Sequence, residues 1–223
     1  MTNSQEKALV LLSSGMDSAV CASLAVKSYK TIFVHFQYGQ RSAKKELECF
    51  KKLVEHFKPE DDLVVDLSFY KKIGGSSLID ESMEIEEEIT SCIPSTYVPF
   101  RNGVFLSVAA AIAEALEAKR IFIGVNQVDF SGYPDCREEF VQAMQKAISL
   151  GTKMGDELRI EAPLLNLTKA QIVKLGIELN SPFHLTWSCY RGGEKACGRC
   201  ASCQLRLKAF SEAGVKDPIP YEL

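Results

Sequence analysis

Apolar and polar positions alternate in blocks along this chain. The first block is an unbroken apolar run, Ala8-Leu9-Val10-Leu11-Leu12. Such a run predicts a strand buried on both faces. A short polar turn follows, and apolar residues then return at helical spacing in Met16, Val20 and Leu24. The unit is strand, tight turn, helix. Lys30 to Phe36 predicts a second strand, and Leu47, Phe50, Val54 and Phe57 mark one face of the helix after it. Asp62 to Leu67 predicts a third strand.

Regularity lapses from 68 to 99, where Gly74-Gly75-Ser76-Ser77, an acidic run from Glu84 to Glu88 and prolines 94 and 99 occur. Such a stretch predicts either a lid or a solvated loop. Asn102 is a candidate cap for a helix from Gly103 to about Lys119. That helix is apolar nearly all round, which predicts burial against a sheet or a second subunit. Arg120 to Val125 predicts strand four. A helix carrying Phe140, Val141, Met144 and Ile148 follows, with Gly151 as its C-cap. Leu158 to Glu161 predicts strand five, Thr168 caps the next helix, and Ala201 to Ala213 forms the last one. Strands alternating with helices predict a three-layer, Rossmann-like α/β fold with a five-stranded parallel sheet. In such sheets ligands sit beyond the carboxyl ends of the strands, so the loops after strands one, two and four are expected to be neighbours.

The turn after the first strand carries the chemistry: Ser13-Ser14-Gly15-Met16-Asp17-Ser18. It lacks the Gly-Lys-Ser/Thr of a Walker loop and the three glycines of a dinucleotide fingerprint. It offers three hydroxyls and several N–H groups at a helix N-terminus, which attracts phosphate. A serine-capped helix without a ligand is the plain alternative.

Composition narrows the setting. The 223 residues are 46% apolar and 25% charged, which fits one soluble α/β domain with a small appendage. The formal charge of −3 argues against a nucleic-acid partner, and no apolar run is long enough for a membrane span. With no leader pattern, the expected setting is the reducing cytoplasm. Eight cysteines there point to metal or chemistry before disulfides. Four of them form Cys189-x7-Cys197-x2-Cys200-x2-Cys203, spaced for a closed structural zinc site, with an iron–sulfur cluster as the competitor. The boundary then falls between an α/β domain, 1–185, and a C-terminal zinc-binding module with its helix, 186–223. Cys21 and Cys49 read as core, Cys92 as undecided, and Cys136 as a packed residue or a reactive one.

The turn resembles the pyrophosphate loop, Ser-Gly-Gly-x-Asp-Ser, of the ATP pyrophosphatases, with Ser14 in place of the first glycine. That serine raises the cost of a positive φ. Over nearly the whole chain the sequence resembles the 7-cyano-7-deazaguanine synthase family. The matching stretches are Val10 to Ser18, Val34 to Ser42, Val98 to Asn102, Gly132-Tyr133-Pro134-Asp135-Cys136-Arg137, Pro163 to Lys169 and Thr186 to Cys203.

The resemblance implies an adenine nucleotide alpha hydrolase-like fold, a homodimer and a structural Zn²⁺. It also implies a carbon–nitrogen ligase that uses ATP with Mg²⁺ to convert 7-carboxy-7-deazaguanine and free ammonia to the nitrile. Leu12 to Ala22, that is Leu12, Ser13, Ser14, Gly15, Met16, Asp17, Ser18, Ala19, Val20, Cys21 and Ala22, together with Phe36, would then hold the nucleotide. Ser13, Asp17, Ser18, Arg101 and Lys169 would serve the chemistry, with Asp17 a candidate Mg²⁺ ligand. Tyr133, Asp135 and Arg137 would hold the deazaguanine. Asp135 could accept the two adjacent donors of a guanine-like edge, or merely cap the helix near Arg137. His35 and His184 read as structural before catalytic. The rival readings are a tRNA thiolase with an iron–sulfur cluster and a non-catalytic nucleotide-binding module.

Overall fold

The computed structural model describes residues 5–88, 92–128 and 133–222. Met1 to Ser4, Leu223 and Gly132 of the Gly132 to Arg137 stretch lie outside them. Five parallel strands form one sheet: β1 (Lys7–Leu11), β2 (Lys30–Gln37), β3 (Asp61–Asp66), β4 (Arg120–Phe122) and β5 (Arg159–Glu161), in the order β3-β2-β1-β4-β5. The order reverses between β1 and β4, which leaves a crevice at their carboxyl ends.

The unbroken apolar run of β1 is explained by its two neighbours. Ala8, Val10 and Leu12 face α1 (Met16–Ala25) and α2 (Ala43–Phe57), packing with Ala19, Ala22, Phe50 and Leu53. Leu9 and Leu11 point the other way, into the larger core that holds Leu106, Ala109 and Ala113 of α4 (Arg101–Leu116) and Ile148 of α5 (Glu138–Gly151). The expected three layers are therefore present. A short helix, α3 (Tyr70–Ile73), precedes α4. Beyond the sheet, α6 (Lys169–Glu178) and α7 (Ala201–Glu212) pack together and against α1 through Val20, Ile172, Phe183 and Phe210.

The structure revises several boundaries. Helix α4 begins at Arg101, two residues earlier than an Asn102 cap would allow. Its cap residue is Phe100, in a left-handed conformation (φ 53°). Asn102 lies inside the first turn and is held from outside: its N–H donates to Asp135 Oδ2 (2.9 Å) and its amide to the Asp135 carbonyl (3.0 Å). Gly151 is the last residue of α5, and the cap is Thr152, in an extended conformation. Strand β4 stops at Phe122; Ile123 still donates to the Glu161 carbonyl (2.9 Å), and Ile123 to Asn126 line the crevice. Within 68–99 the described residues do not form a solvated loop. Tyr70, Leu78, Ile79, Ile85 and Val98 are buried, and Arg41 ties the segment down by donating to the carbonyls of Asp80 (2.6 Å) and Met83.

One buried ion pair fastens the C-terminal end. Arg206 of α7 donates through Nε (2.7 Å) and Nη2 (3.0 Å) to the two carboxylate oxygens of Asp217. Its remaining donors reach Thr186 Oγ1 (2.8 Å), Ser188 Oγ (3.2 Å) and the Phe183 carbonyl (3.2 Å). Tyr221 adds a hydroxyl to Asp217 (2.7 Å). Breaking such a buried pair leaves a charge without compensation. Asp217→Ala is therefore expected to lower unfolding free energy by about 3–5 kcal/mol, read from urea denaturation of the metal-loaded protein. A loss under about 1 kcal/mol, the range of exposed pairs, would show that the pair carries no such weight.

Candidate active site

A cavity of about 290 Å³ opens at the carboxyl ends of β1, β2 and β4, where the loops were expected to meet. One end is built from the turn after β1. Leu12, Ser13, Gly15, Met16, Asp17 and Ser18 line it. Ser13 Oγ donates to Ser18 Oγ (3.2 Å), which donates to the Gly15 carbonyl (3.0 Å), so the hydroxyls form a ring around the start of α1. Gly124, from the loop after β4, lies against this turn. A Cβ there would stand 3.0 Å from Ser18 N and 3.1 Å from Asp17 C, so only glycine lets the two loops approach so closely.

Ser14 takes the left-handed conformation the sequence made costly, φ 71°. Hydrogen bonds offset that cost. Its hydroxyl donates to the Glu46 carbonyl of α2 (2.8 Å), and its own carbonyl accepts from Trp187 N (2.8 Å). The side chain is fully buried and does not line the cavity. Ala19, Val20, Cys21 and Ala22 also turn away from it, into the packing of α1. Burial pushes the Cys21 thiol pKa up, in keeping with core.

Thr168 caps α6 as expected. It accepts from Gln171 N (3.2 Å) while Gln171 Oε1 accepts from Thr168 N (2.7 Å), a reciprocal capping box. The box sets Lys169 at the first helical position, where its ammonium pairs with Asp17 Oδ2 at the cavity wall. The other oxygen, Asp17 Oδ1, is buried and accepts no hydrogen bond within the protein. An oxygen so placed fits a cation or an N–H from a ligand.

The opposite wall is aromatic and holds one cation. Phe36 stacks on Phe105 (centroids 4.2 Å apart, 15° between planes), and Tyr38 lies beside Phe105 at 5.7 Å. Arg101 lies over the Tyr38 and Phe105 rings at 5.3 and 5.7 Å, and its Nη1 donates to Tyr38 Oη (2.9 Å). Burial works against the charge on Arg101. The acidic groups around it, Tyr38, Tyr133, Asp135 and Cys136, outweigh that and raise its pKa, so it stays a cation. Tyr133 lines the cavity with its hydroxyl 2.8 Å from Thr96 Oγ1.

Asp135 and Arg137 do not line the cavity. Asp135 is buried beneath α4 and accepts from Asn102 N. It caps that helix, not the one starting near Arg137. Burial raises its pKa, while the Asn102 N–H and Arg101 pull the other way. Arg137 is exposed and forms the N-cap of α5. Cys136 faces the cavity, but burial pushes its thiol up to about 11, so it packs beside Asn102 as a neutral group. His35 is fully buried, donates from Nδ1 to the Leu12 carbonyl (3.0 Å) and stacks on Phe50. Burial lowers its pKa and keeps it neutral, the structural role anticipated. His184 is exposed.

Several cavity residues carried no assigned role in the sequence. Tyr38, Ser42 and Glu46 belong to one network: Gln40 Oε1 accepts from Tyr38 N (2.9 Å), Gln40 Nε2 donates to Glu46 Oε2 (2.8 Å), and Ser42 Oγ donates to Glu46 Oε1 (2.5 Å). The only signal for them was their clustering in and just after the Tyr38 to Ser42 stretch. Trp187 and Tyr190 reach the cavity from the cysteine-rich segment, which spacing alone could not foretell.

A family model described as "Queuosine biosynthesis protein QueC" matches residues 7–214. The chain belongs to the QueC family. Relatives called 7-cyano-7-deazaguanine synthase support the same placement. That of Oceanobacillus iheyensis is 51% identical over 97% of this chain and 98% of its own. Those of Sulfurovum sp. and Nitratiruptor sp. are 50% and 52% identical over 97% of this chain and 98% and 99% of their own. Among solved structures, an NMN synthetase from Francisella tularensis matches with a TM-score of 0.51 and 19% identity, covering 96% of this chain and 79% of that one. At that identity the likeness concerns the fold alone.

The QueC chain also brings its four clustered cysteines together. The sulfurs of Cys189, Cys197, Cys200 and Cys203 are buried and all lie within 4.8 Å of one another. A tetrahedral site with metal–sulfur bonds of about 2.3 Å spaces its sulfurs about 3.8 Å apart. Cys197 and Cys203 Sγ are 3.9 Å apart. The N–H groups of Arg199 (3.4 Å) and Cys200 (3.3 Å) point at Cys197 Sγ, as they do around a ligating sulfur. Four thiols aimed at one point fit a single ion. A [4Fe–4S] cluster gives each cysteine its own iron and spreads the sulfurs apart.

Two substitutions test these local arguments. Ser14→Gly removes left-handed strain of about 1–2 kcal/mol and one hydrogen bond of about 1 kcal/mol, so unfolding free energy is expected to change by less than about 1 kcal/mol. A loss above about 2 kcal/mol, more than a typical hydrogen bond contributes, would mean that the Glu46 contact outweighs the strain. Cys200→Ala is expected to lose bound metal, measured by elemental analysis, together with solubility. A variant retaining both would rule out the four-sulfur site.

Proposed function

We propose that the protein is an ATP-dependent carbon–nitrogen ligase that converts 7-carboxy-7-deazaguanine and ammonia to 7-cyano-7-deazaguanine in queuosine precursor synthesis. The observation that carries this reading is one cavity with two unlike walls: a hydroxyl and N–H cup at a helix N-terminus, and an aromatic wall with a half-buried arginine. The first suits phosphates and the second a flat, anionic base. Relatives about half identical over nearly the whole length, all called 7-cyano-7-deazaguanine synthase, support the same assignment.

The chemistry follows from what a carboxylate lacks. Its oxygen is a poor leaving group toward ammonia. Attack of the carboxylate on the α-phosphorus of ATP expels pyrophosphate and gives an acyl adenylate. Ammonia then displaces AMP, releasing a proton, and leaves the amide. The amide oxygen attacks a second ATP in the same way. Loss of AMP and both amide protons from that adduct gives the nitrile.

Ser13, Gly15 and Ser18, with the N–H groups opening α1, would hold the departing pyrophosphate. Lys169 adds fixed positive charge there. The open oxygen of Asp17 is the natural ligand for the Mg²⁺ that accompanies ATP. Arg101 supplies charge at the opposite wall, Tyr133 and Phe36 offer aromatic surface to the base, and Asp135 acts by fixing the start of α4. The cysteine site would hold Zn²⁺ as a structural ion. The working unit is taken to be a homodimer.

The test is incubation of the metal-loaded protein with ATP, Mg²⁺, ammonium and the 7-carboxy acid. AMP and pyrophosphate are expected in a two-to-one ratio to nitrile, from colourless protein. No AMP would indicate a nucleotide-binding module. A brown absorbance band together with sulfur transfer to tRNA would indicate a thiolase.

A further inference from the structure

Three cationic side chains line the cavity, and their partners differ. Lys169 is paired with Asp17. Arg206 is paired with Asp217 by two hydrogen bonds. Arg101 is the third, and among the described residues no carboxylate comes within 4.0 Å of its guanidinium. Its Nε is buried and donates to nothing, while Nη1 donates only to a neutral phenol, Tyr38. The nearest acid in the sequence stretch facing it, Asp135, commits Oδ2 to the N–H of Asn102. Arg101 is also the first residue of α4, where the helix presents its positive end. Two sources of positive charge therefore converge at the aromatic wall with less negative charge than they can accept.

The rings and the surrounding acidic groups keep Arg101 charged, but the buried Nε still lacks an acceptor, and an anion in the cavity would supply one. The surrounding surface indicates which anion. Phe36, Phe105 and Tyr38 pack together as one aromatic wall of the cavity, a surface on which a planar ring system can lie. The hydroxyl cup and Lys169 already provide for phosphates elsewhere in the cavity. A guanidinium edge binds a carboxylate with two parallel hydrogen bonds. We infer that Arg101 is the receptor for the carboxylate of the deazaguanine acid, so that it distinguishes the acid from the neutral amide formed halfway through the reaction.

This inference rests on the proposed reaction and adds a consequence. The first activation begins from an anion and the second from a neutral amide. The Arg101 contact therefore serves the first and has little to grip in the second. Once ammonia has reacted, the charge that held the substrate is gone, and the ring contacts alone retain it.

The experiment supplies the 7-carboxy acid and its carboxamide separately to the metal-loaded wild type, Arg101→Gln and Arg101→Lys, with ATP, Mg²⁺ and ammonium. For Arg101→Gln, kcat/KM for the acid is expected to fall at least about 30-fold, as on losing one partner of a buried charge pair. For the carboxamide it is expected to fall less than about 5-fold, within the net contribution of a single hydrogen bond, with KM for ATP in the same range. Lysine should recover part of the acid activity, since it restores charge without the fork. Equal losses on acid and amide, or a loss appearing in KM for ATP, would overturn the assignment.

If Arg101→Gln does not fold, competition binding to the wild type decides. The acid is expected to bind at least about 10-fold more tightly than the carboxamide, the range for a hydrogen bond to a charged group, and equal binding would overturn the inference. Failure of the wild type to convert either compound would overturn the proposed reaction itself. Conversion of both, with variants that do not discriminate, would overturn only the role of Arg101.

Discussion

The structure turns on the strained peptide at Ser14, held from two sides. The strand β1 delivers the chain to the reversal point of the sheet, and the helix α1 must start there without delay. A left-handed residue makes that bend possible. In this chain the residue is a serine, which brings steric cost and a hydroxyl together. The hydroxyl reaches α2 at Glu46, while the carbonyl receives Trp187 from the cysteine-rich segment. One residue thus joins the turn after β1, the second helix and the cysteine-rich segment. The cup keeps its shape because three segments distant in sequence share this joint.

The same logic explains why a cysteine cluster and a buried ion pair sit behind the cavity. Trp187 and Tyr190 line the cavity from a segment with little regular structure. Such a segment has few ladder hydrogen bonds to hold it. Cys189 within it belongs to the four-cysteine cluster, and Arg206 reaches Thr186 and Ser188 beside it. Arg206 in turn depends on Asp217, so the end of the chain is tied to the wall of the cavity. Rigid cross-links substitute for secondary structure where the wall has none.

What could be read from the sequence divides along physical lines. The buried strands, the helical stripes and the order of elements rest on local pattern, and the sheet follows them. The Thr168 cap and the convergence of four cysteines are likewise short-range signals. The meeting of the loops after β1, β2 and β4 followed from topology. The start of α4 did not, because the partner of Asn102 lies at Asp135, thirty-three positions away, and no local rule shows it. The packing of 68–99 was hidden for a related reason. Its buried residues follow neither helical nor strand spacing, and a distant side chain, Arg41, takes up two of its carbonyls.

Asp135 also shows how a residue can shape a site without entering it. A helix that starts after a left-handed phenylalanine leaves its first N–H groups facing the interior. Asp135 takes the N–H of Asn102, and the Asn102 amide answers by bonding the Asp135 carbonyl, so the two segments lock together. Arg101 is the residue immediately before that lock. Its guanidinium can lie along the Tyr38 and Phe105 rings only because the backbone beside it cannot shift. Asp135 thereby commits Oδ2 to backbone and acts on the arginine through charge alone, without an ion pair at contact distance. The cavity keeps a positive wall for the same reason that α4 has a fixed beginning.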